Sequence, residues 1–334
     1  MPRVLTPARL LAAGLVAAAA AAALWLFPTD SYVFLPNRAH AVAPFVDVEG
    51  GKDPKDGGGI YYVDVLVRKA TLLERIRPSE GATVVPAEDV RPPGVTDSER
   101  RREELDEMSR SQRVAAAVAL RQLGYKVKAE PRGARIEAVA SDAAARGKLE
   151  PGDVVVSAGG AEVHTPADLR RAVRKNGTGR AIEVVAKRGA ERVTVPVRPR
   201  TGPDGAPILG VIVSQDADIE LPLDVKIDVN GVGGPSAGLA FALDVMEELG
   251  RDVDRGHKVA VTGAIELDGT VGPIGGVKQK TIGVERAGID VFLVPAGENA
   301  AEARRYAHGT RIVPVKTFQQ ALRALATLPK SAED

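Results

Sequence analysis

No cysteine occurs in the 334 residues, which excludes thiol nucleophiles, disulfides and thiolate metal sites together. A chain without cysteine is also at ease outside the cytoplasm. Aromatic residues make up only 4% of the chain, so its cores must rest on Val, Leu, Ile and Ala. Only four histidines are present, and no His/Asp cluster has metal-ligand spacing, so no metal is expected. No G-x-x-x-x-G-K-[ST] segment occurs, hence no P-loop, no built-in unfoldase and no cofactor is expected. Charge of one sign is lacking too: 45 basic against 44 acidic residues leave a net charge of +1. That balance gives no electrostatic footprint for nucleic acid. Short-period repeats are absent, and low complexity is confined to an alanine-rich N-terminal run.

That run is the first positive signal. Leu10 to Phe27 is 18 residues without a charge, preceded by Arg3 and Arg9. A helix of this length just spans a bilayer core, and the basic flank favours an internal N-terminus. The expectation is a cytoplasmic segment 1–9, a transmembrane anchor 10–27, and the rest of a single-pass protein outside the cytoplasm. A cleaved signal peptide is the rival. It is disfavoured because Ala21–Ala23 lie inside the apolar run and Ala39-His40-Ala41 sits well beyond it.

Residues 31–48 and 60–76 read as strand-rich, separated by a glycine- and charge-rich turn at 51–59. From Ser98 the pattern becomes helical, turns apolar at Val114–Leu120 and stops at Gly124. The segment 28–109 is therefore a strand-rich region with the start of a helix. Within 110–200, Ala134–Val139 reads as a strand and Lys148–Val156 as a Pro-Gly turn into a strand. Pro166–Arg174 reads as a helix capped by Thr165, with strands at 181–187 and 192–197 after it. Arg198–Pro207 is the best linker.

An apolar-Gly-apolar loop, the Leu149-Glu150-Pro151-Gly152-Asp153-Val154 element and the helix after it together resemble the bacterial PDZ pattern over about 80 residues. The chain departs from it at Ser141-Asp142-Ala143-Ala144 and at Ala158-Gly159-Gly160. The resemblance implies that Leu123, Gly124 and Tyr125 offer backbone N–H groups to a peptide's terminal carboxylate. Helix termination at Gly124 explains the same residues equally well.

Residues 223–229 alternate as a half-buried strand and run into Gly231-Val232-Gly233-Gly234-Pro235-Ser236-Ala237-Gly238, followed by a helix to Leu249. A serine between a glycine-rich loop and a helix N-terminus suits nucleophilic chemistry, because free N–H groups there can stabilise an oxyanion. A plain N-cap serine is the bland reading. Gly234–Gly238 also fits G-x-S-x-G, but a hydrolase triad would need His257 or His308 and a preceding hydrolase sheet, where the segment is PDZ-like instead.

The second constellation is Thr262-Gly263-Ala264-Ile265, then Pro273-Ile274-Gly275-Gly276-Val277-Lys278. Together with Gly233–Gly238 it closely resembles the peptidase domain of the Lon family. The resemblance implies an α+β domain over 201–334, a nucleophile at Ser236, a base at Lys278, and an orienting hydroxyl at Thr262. Gly233 and Gly234 are the supporting oxyanion candidates. On a helical wheel Lys278 and Lys280 are equivalent, both at the edge of the apolar arc, so the motif alone selects Lys278. Family members often carry an acidic residue where Gly233 stands and a glutamate where Ala264 stands. Anchor, PDZ-like module and Lon-type domain without an ATPase resemble the membrane-bound PDZ/Lon-like serine proteases.

The implied activity is ATP-independent cleavage of peptides or unfolded proteins, with homo-oligomeric ring assembly implied by the Lon resemblance alone. A non-catalytic PDZ scaffold with a vestigial peptidase fold is the alternative of another class. Two arrangements of the modules stay open: a bead-on-string order, or a PDZ-like segment inserted into a peptidase domain that begins near residue 60.

Overall fold

The computed structural model describes every residue except 1–10, 13–14, 17–21, 23–24, 53–56, 91–95, 141, 203–204, 230 and 331–334. Among the described residues no helix is long and apolar enough to cross a membrane, and the span expected at Leu10–Phe27 lies largely outside them.

Two stretches rich in β-branched and aromatic residues, β1 (Pro28–Ala41) and β2 (Gly59–Thr71), pair antiparallel from Tyr32↔Lys69 to Ala41↔Tyr61. The register shifts after Pro36, where proline has no N–H to give to the ladder. A short strand β3 (Thr83–Pro86) covers the outer edge of β1. The inner edge of β2 is taken by a strand nearly 200 residues further along the chain, β9 (Lys258–Val261), in parallel register Val259↔Ile60. Beyond β9 come β12 (Val291–Pro295) and β13 (Arg311–Val315), both parallel, giving the order β13-β12-β9-β2-β1-β3.

Strands in such a sheet are buried on both faces and therefore read as continuous apolar runs. Val291-Phe292-Leu293-Val294-Pro295 is the example. Ile60, Tyr62, Val261 and Leu293 point to one face, where they meet α1 (Asp97–Gln122) and α3 (Gly238–Glu248). The other face carries Val63, Ala260 and Phe292 against α4 (Val277–Arg286) and α5 (Glu298–Tyr306). A last helix, α6 (Phe318–Ala326), closes the first layer with Phe318, Ala321 and Leu325.

Helix α1 starts on a capping box between Thr96 and Glu99 and buries every residue from Val114 to Leu120. Its alanines allow a close approach to α3. At Gly238 a Cβ would stand 2.7 Å from the Ser111 oxygen, so no larger residue fits there. Phe241 on α3 is fully buried in this layer, and its truncation to alanine would cost about 3–5 kcal/mol.

The second sheet is antiparallel and built from β4 (Lys128–Val139), β5 (Val154–Ala158), β6 (Ile182–Arg188), β7 (Glu191–Val197) and β8 (Val211–Glu220). Its order is β8-β4-β5-β6-β7, with β8 at the edge. Helix α2 (Pro166–Asn176), capped by Thr165, lays Leu169 and Val173 on a core of Ile136, Leu149, Val155 and Val184.

The boundary expected at residue 110 falls inside α1, whose apolar half packs in the first core. That expected at 200–201 separates β8 from the sheet it completes. The physical reason is that the Pro-Gly-rich segment is a hairpin, Arg200↔Ile208 and Thr201↔Pro207, that returns the chain to the same module.

Candidate active site

Ser236 stands where the chain leaves Gly234, turns through one short 3-10 stretch (Pro235–Ala237) and enters α3. The loop is held from behind by α1. The Gly234 N–H donates to the Glu104 carbonyl at 2.9 Å, and the Ser111 hydroxyl to the Pro235 carbonyl at 3.1 Å. From the side, the Gly263 N–H (2.8 Å) and the Thr262 hydroxyl (3.1 Å) both donate to the Ser236 carbonyl. The backbone is thereby fixed while the serine itself stays half-buried.

The partner side chain comes from α4. This helix begins after Gly276, which takes a left-handed φ of 69°. A Cβ there would also meet Val65 at 2.7 Å, so the helix start is pinned. With that start, Val277, Lys280, Thr281 and Val284 share one buried face at the i, i+3, i+4, i+7 spacing. Lys280 Nζ lies 2.8 Å from Ser236 Oγ and 3.3 Å from Thr262 Oγ1. The lysine is 3% exposed. Burial pushes its pKa from 10.5 down to about 7, against the opposing pull of the Asp64 carboxylate. A neutral amine can then take the Oγ–H proton, which a charged one cannot.

This corrects the lysine selected by motif. Lys278 faces the other way: its Nζ donates to the Ala82 carbonyl at 3.1 Å and sits 5.7 Å from the centre of the Tyr306 ring. Helix register is the cause, since residue 278 lies one position after Val277 and falls off the face that Val277 and Lys280 share. Thr262, expected to orient Lys278, instead lies between Lys280 and the Ser236 carbonyl. Of the two supporting glycines, Gly234 has its N–H engaged by Glu104, whereas the Gly233 N–H has no acceptor among the described residues. Gly233 also has no room for an acidic side chain, because a Cβ would come within 2.7 Å of the Glu104 Cβ. Of the two histidines of the hydrolase reading, His257 has its ring against the Pro329 carbonyl, and His308 is held by its backbone N–H on the Glu285 carboxylate.

The loop Leu123-Gly124-Tyr125 ends α1. The N–H groups of all three residues donate back into the helix, to Ala119, Arg121 and Leu120. None is available for a carboxylate, so helix termination is what these residues do. A second apolar-Gly-apolar triplet, Leu209-Gly210-Val211, opens the edge strand β8. It is legible as the same pattern but lies just past the Arg198–Pro207 stretch read as linker, in the segment assigned to the peptidase domain.

A cavity of 690 Å³ lies beside the serine loop. Pro235, Ala264 and Gly272 form its wall on the serine side, and Leu169, Val173 and Val211 form the wall opposite. Strands β10 (Ala264–Ile265) and β11 (Val271–Gly272) make a small antiparallel pair along the first wall. The walls are tied together by Arg170 of α2, which donates to the buried carboxylate of Glu266.

Sequence comparison matches residues 220–326 to the Lon protease (S16) C-terminal proteolytic domain and residues 121–198 to the PDZ domain. Among curated proteins, Lon protease 2 of Bacillus subtilis (strain 168) is 33% identical over 117 residues, covering 34% of this chain and 21% of its own. Lon protease 1 of Myxococcus xanthus is 38% identical over 104 residues, covering 30% of this chain and 12% of its own. The chain thus spans about a fifth or less of the length of these relatives. Among solved structures, the PDZ domain of the SdrC-like protein from Listeria innocua is similar at 18% identity, covering 24% of this chain and 92% of that one, with a TM-score of 0.23. The protein therefore contains a Lon-type C-terminal proteolytic domain and a PDZ domain.

Proposed function

We propose that the protein is an ATP-independent, membrane-tethered serine endopeptidase that cuts peptides and unfolded proteins with a Ser236–Lys280 dyad. One observation carries the reading: a buried lysine amine 2.8 Å from the hydroxyl of a half-buried serine. Among the described residues no carboxylate forms an ion pair with Lys280, and a buried lysine without one is rare unless its neutral form is used.

In this reading Ser236 Oγ attacks the peptide carbonyl as its proton passes to Lys280 Nζ. The oxyanion is met by backbone donors of the turn before α3, with the Gly233 N–H, which has no acceptor among the described residues, as one candidate. Lys280 then gives the proton to the leaving amine, and later takes one from the water that releases the acyl group. Thr262 positions the lysine and the Ser236 backbone at once. The chain carries no P-loop, which supports action without nucleotide. The apolar run at 10–27 supports tethering, with the catalytic part outside the cytoplasm.

The test is incubation of the purified protein with an unfolded model protein in the absence of ATP, beside Ser236→Ala. Cleavage and covalent labelling by a serine-directed phosphonate are expected for the native chain only. Equal labelling of Ser236→Ala, or no cleavage by either, would sink the assignment and leave the scaffold alternative.

The buried lysine also sets a pH profile. Because the neutral amine is the active form, kcat/KM should rise about tenfold per unit below pH 7 and level off above it. Stability follows the same proton. The unfolded chain keeps it up to about pH 10.4, so stability is lowest below about 7 and rises between those values. A rate profile flat from about pH 5.5 to 8 would mean that Lys280 is not the base.

A further inference from the structure

The β1–β2 pair ends in an apolar segment that no core claims. A short helix, Leu72–Ile76, starts where β2 stops, because Thr71 and Glu74 form a capping box. It carries Leu72, Leu73 and Ile76 and buries none of them. Leu72 is 38% exposed and Ile76 69%. Four positions apart, these two share one face of the helix. A helix of a globular domain normally turns such a face inward.

The position of this helix indicates what covers it. Thr71 stands opposite Pro28 in the ladder, and the Leu72 N–H donates to the Phe27 carbonyl at 3.2 Å. Phe27 is the last residue of the charge-free run Leu10–Phe27. In the tethered reading that run crosses the bilayer, which puts Phe27 at the hydrocarbon boundary. From Leu72 to Ile76 the helix rises about 6 Å, no more than the thickness of the headgroup layer. Trp25, Leu26 and Phe27 are exposed too, so exposed apolar residues stand on both sides of the Leu72–Phe27 hydrogen bond.

The charges fit the same surroundings. Arg68 donates twice to Glu74, and Lys69 pairs with Asp97 at 3.9 Å, so these charges cancel. Arg75 and Arg77 are exposed and have no acidic partner among the described residues. Against them stands the exposed Asp30 at the start of β1, which leaves positive charge in excess. Guanidinium groups flanking an apolar face suit the phosphates of an anionic bilayer.

We propose that Leu72–Arg77 is a second membrane contact, lying in the headgroup layer of an anionic bilayer beside the anchor and fixing how the protease stands on the surface. This rests on the tethered reading of residues 10–27. A single flexible attachment lets a domain tumble, whereas two neighbouring ones decide which end faces lipid. Helix α4, which bears Lys280, packs on β1 at Asn37, where a Cβ on Gly283 would run into the Asn37 carbonyl. From Pro28 to Asn37 an extended strand measures at most about 30 Å at 3.3 Å per residue. The dyad is thereby held on the order of 30 Å above the lipid, within reach of extended chain segments that emerge from it.

The chain has no cysteine, so Ile76→Cys gives a single labelling site for an environment-sensitive dye. Ile212→Cys on β8, where the isoleucine is 63% exposed, is the matched control. Neither isoleucine is buried, so both variants should fold. The full labelled chain is reconstituted in phosphatidylcholine vesicles, with and without phosphatidylglycerol, and in the same vesicles doped with spin-labelled lipid. Dye at residue 76 should brighten severalfold and be quenched by the spin label, and dye at residue 212 should do neither. With phosphatidylglycerol present, Arg75→Gln and Arg77→Gln should each lower the docked-to-free ratio at residue 76 about fivefold. Flotation with the vesicles but no quenching at residue 76 overturns the second contact and leaves the tether. Failure to float overturns the tether and the contact with it. Brightening that appears in detergent and grows with protein concentration assigns the face to a second copy of the chain and overturns the lipid contact.

Discussion

Lys280→Ala will lower cleavage by about 10³-fold or more, whereas Lys278→Ala will leave the enzyme active with an unchanged pH limb. Without a base within reach, the Ser236 hydroxyl is a poor nucleophile at neutral pH, and Lys280 is the amine beside it. Lys280→Arg should be equally inactive, because a guanidinium does not give up its proton in this range. Lys280→Met separates chemistry from folding. It keeps the volume and removes a buried amine whose neutral form is held at a cost on the order of 5 kcal/mol, so it should melt higher than the native protein while cutting nothing. Lys278→Ala gives up its contact with the Tyr306 ring, about 0.5–1 kcal/mol, and its hydrogen bond to the Ala82 carbonyl, about 0.5–1.5 kcal/mol, and nothing at the serine. Kinetics and melting of the four variants decide the matter. An active Lys280→Ala with an inactive Lys278→Ala would restore the motif's choice of lysine.

A fragment of residues 205–334 will not fold. It keeps Ser236, Thr262 and Lys280, yet it loses β1, β2 and β3, half the strands of the main sheet, and the whole of α1. Strand β9 would then expose the edge now paired with Gly59–Tyr62. Phe241, Leu243 and Val245 would lose the layer made by Val114–Leu120. The fragment would also carry β8 without β4, its one ladder partner among the described residues. A small domain stripped of a third of its core falls below the few kcal/mol that keep it folded. Circular dichroism and a melting curve should show no cooperative transition, and phosphonate labelling should be absent. Removing the PDZ module while joining α1 to residues near 221 is the opposite case, since it leaves the main sheet intact and should still melt cooperatively. A soluble, labelled 205–334 fragment would overturn this account of the core.

The chemistry of the site was legible in the order of residues because it depends on local types. A glycine-rich turn with a serine before an apolar helix, and Pro273–Gly276 before a lysine-bearing helix, are short-range patterns that backbone sterics and capping dictate. Most elements were legible for the same reason. Thr165 caps its helix, Gly124 ends α1, and the apolar run at 291–295 is a strand buried on both faces.

Three things needed the tertiary structure. Which lysine meets Ser236 depends on where α4 starts and which face it buries, a rotation of one residue that periodicity alone left open. Which apolar-Gly-apolar triplet has N–H groups without an acceptor among the described residues depends on whether a helix ends there, as at Gly124, or an edge strand begins, as at Gly210. Joining residues 59–71 to residues 258–261 in one sheet is a parallel pairing across nearly 200 positions. Such contacts carry no local signal, because a strand's own sequence records that it will be buried and not which strand will cover its edge.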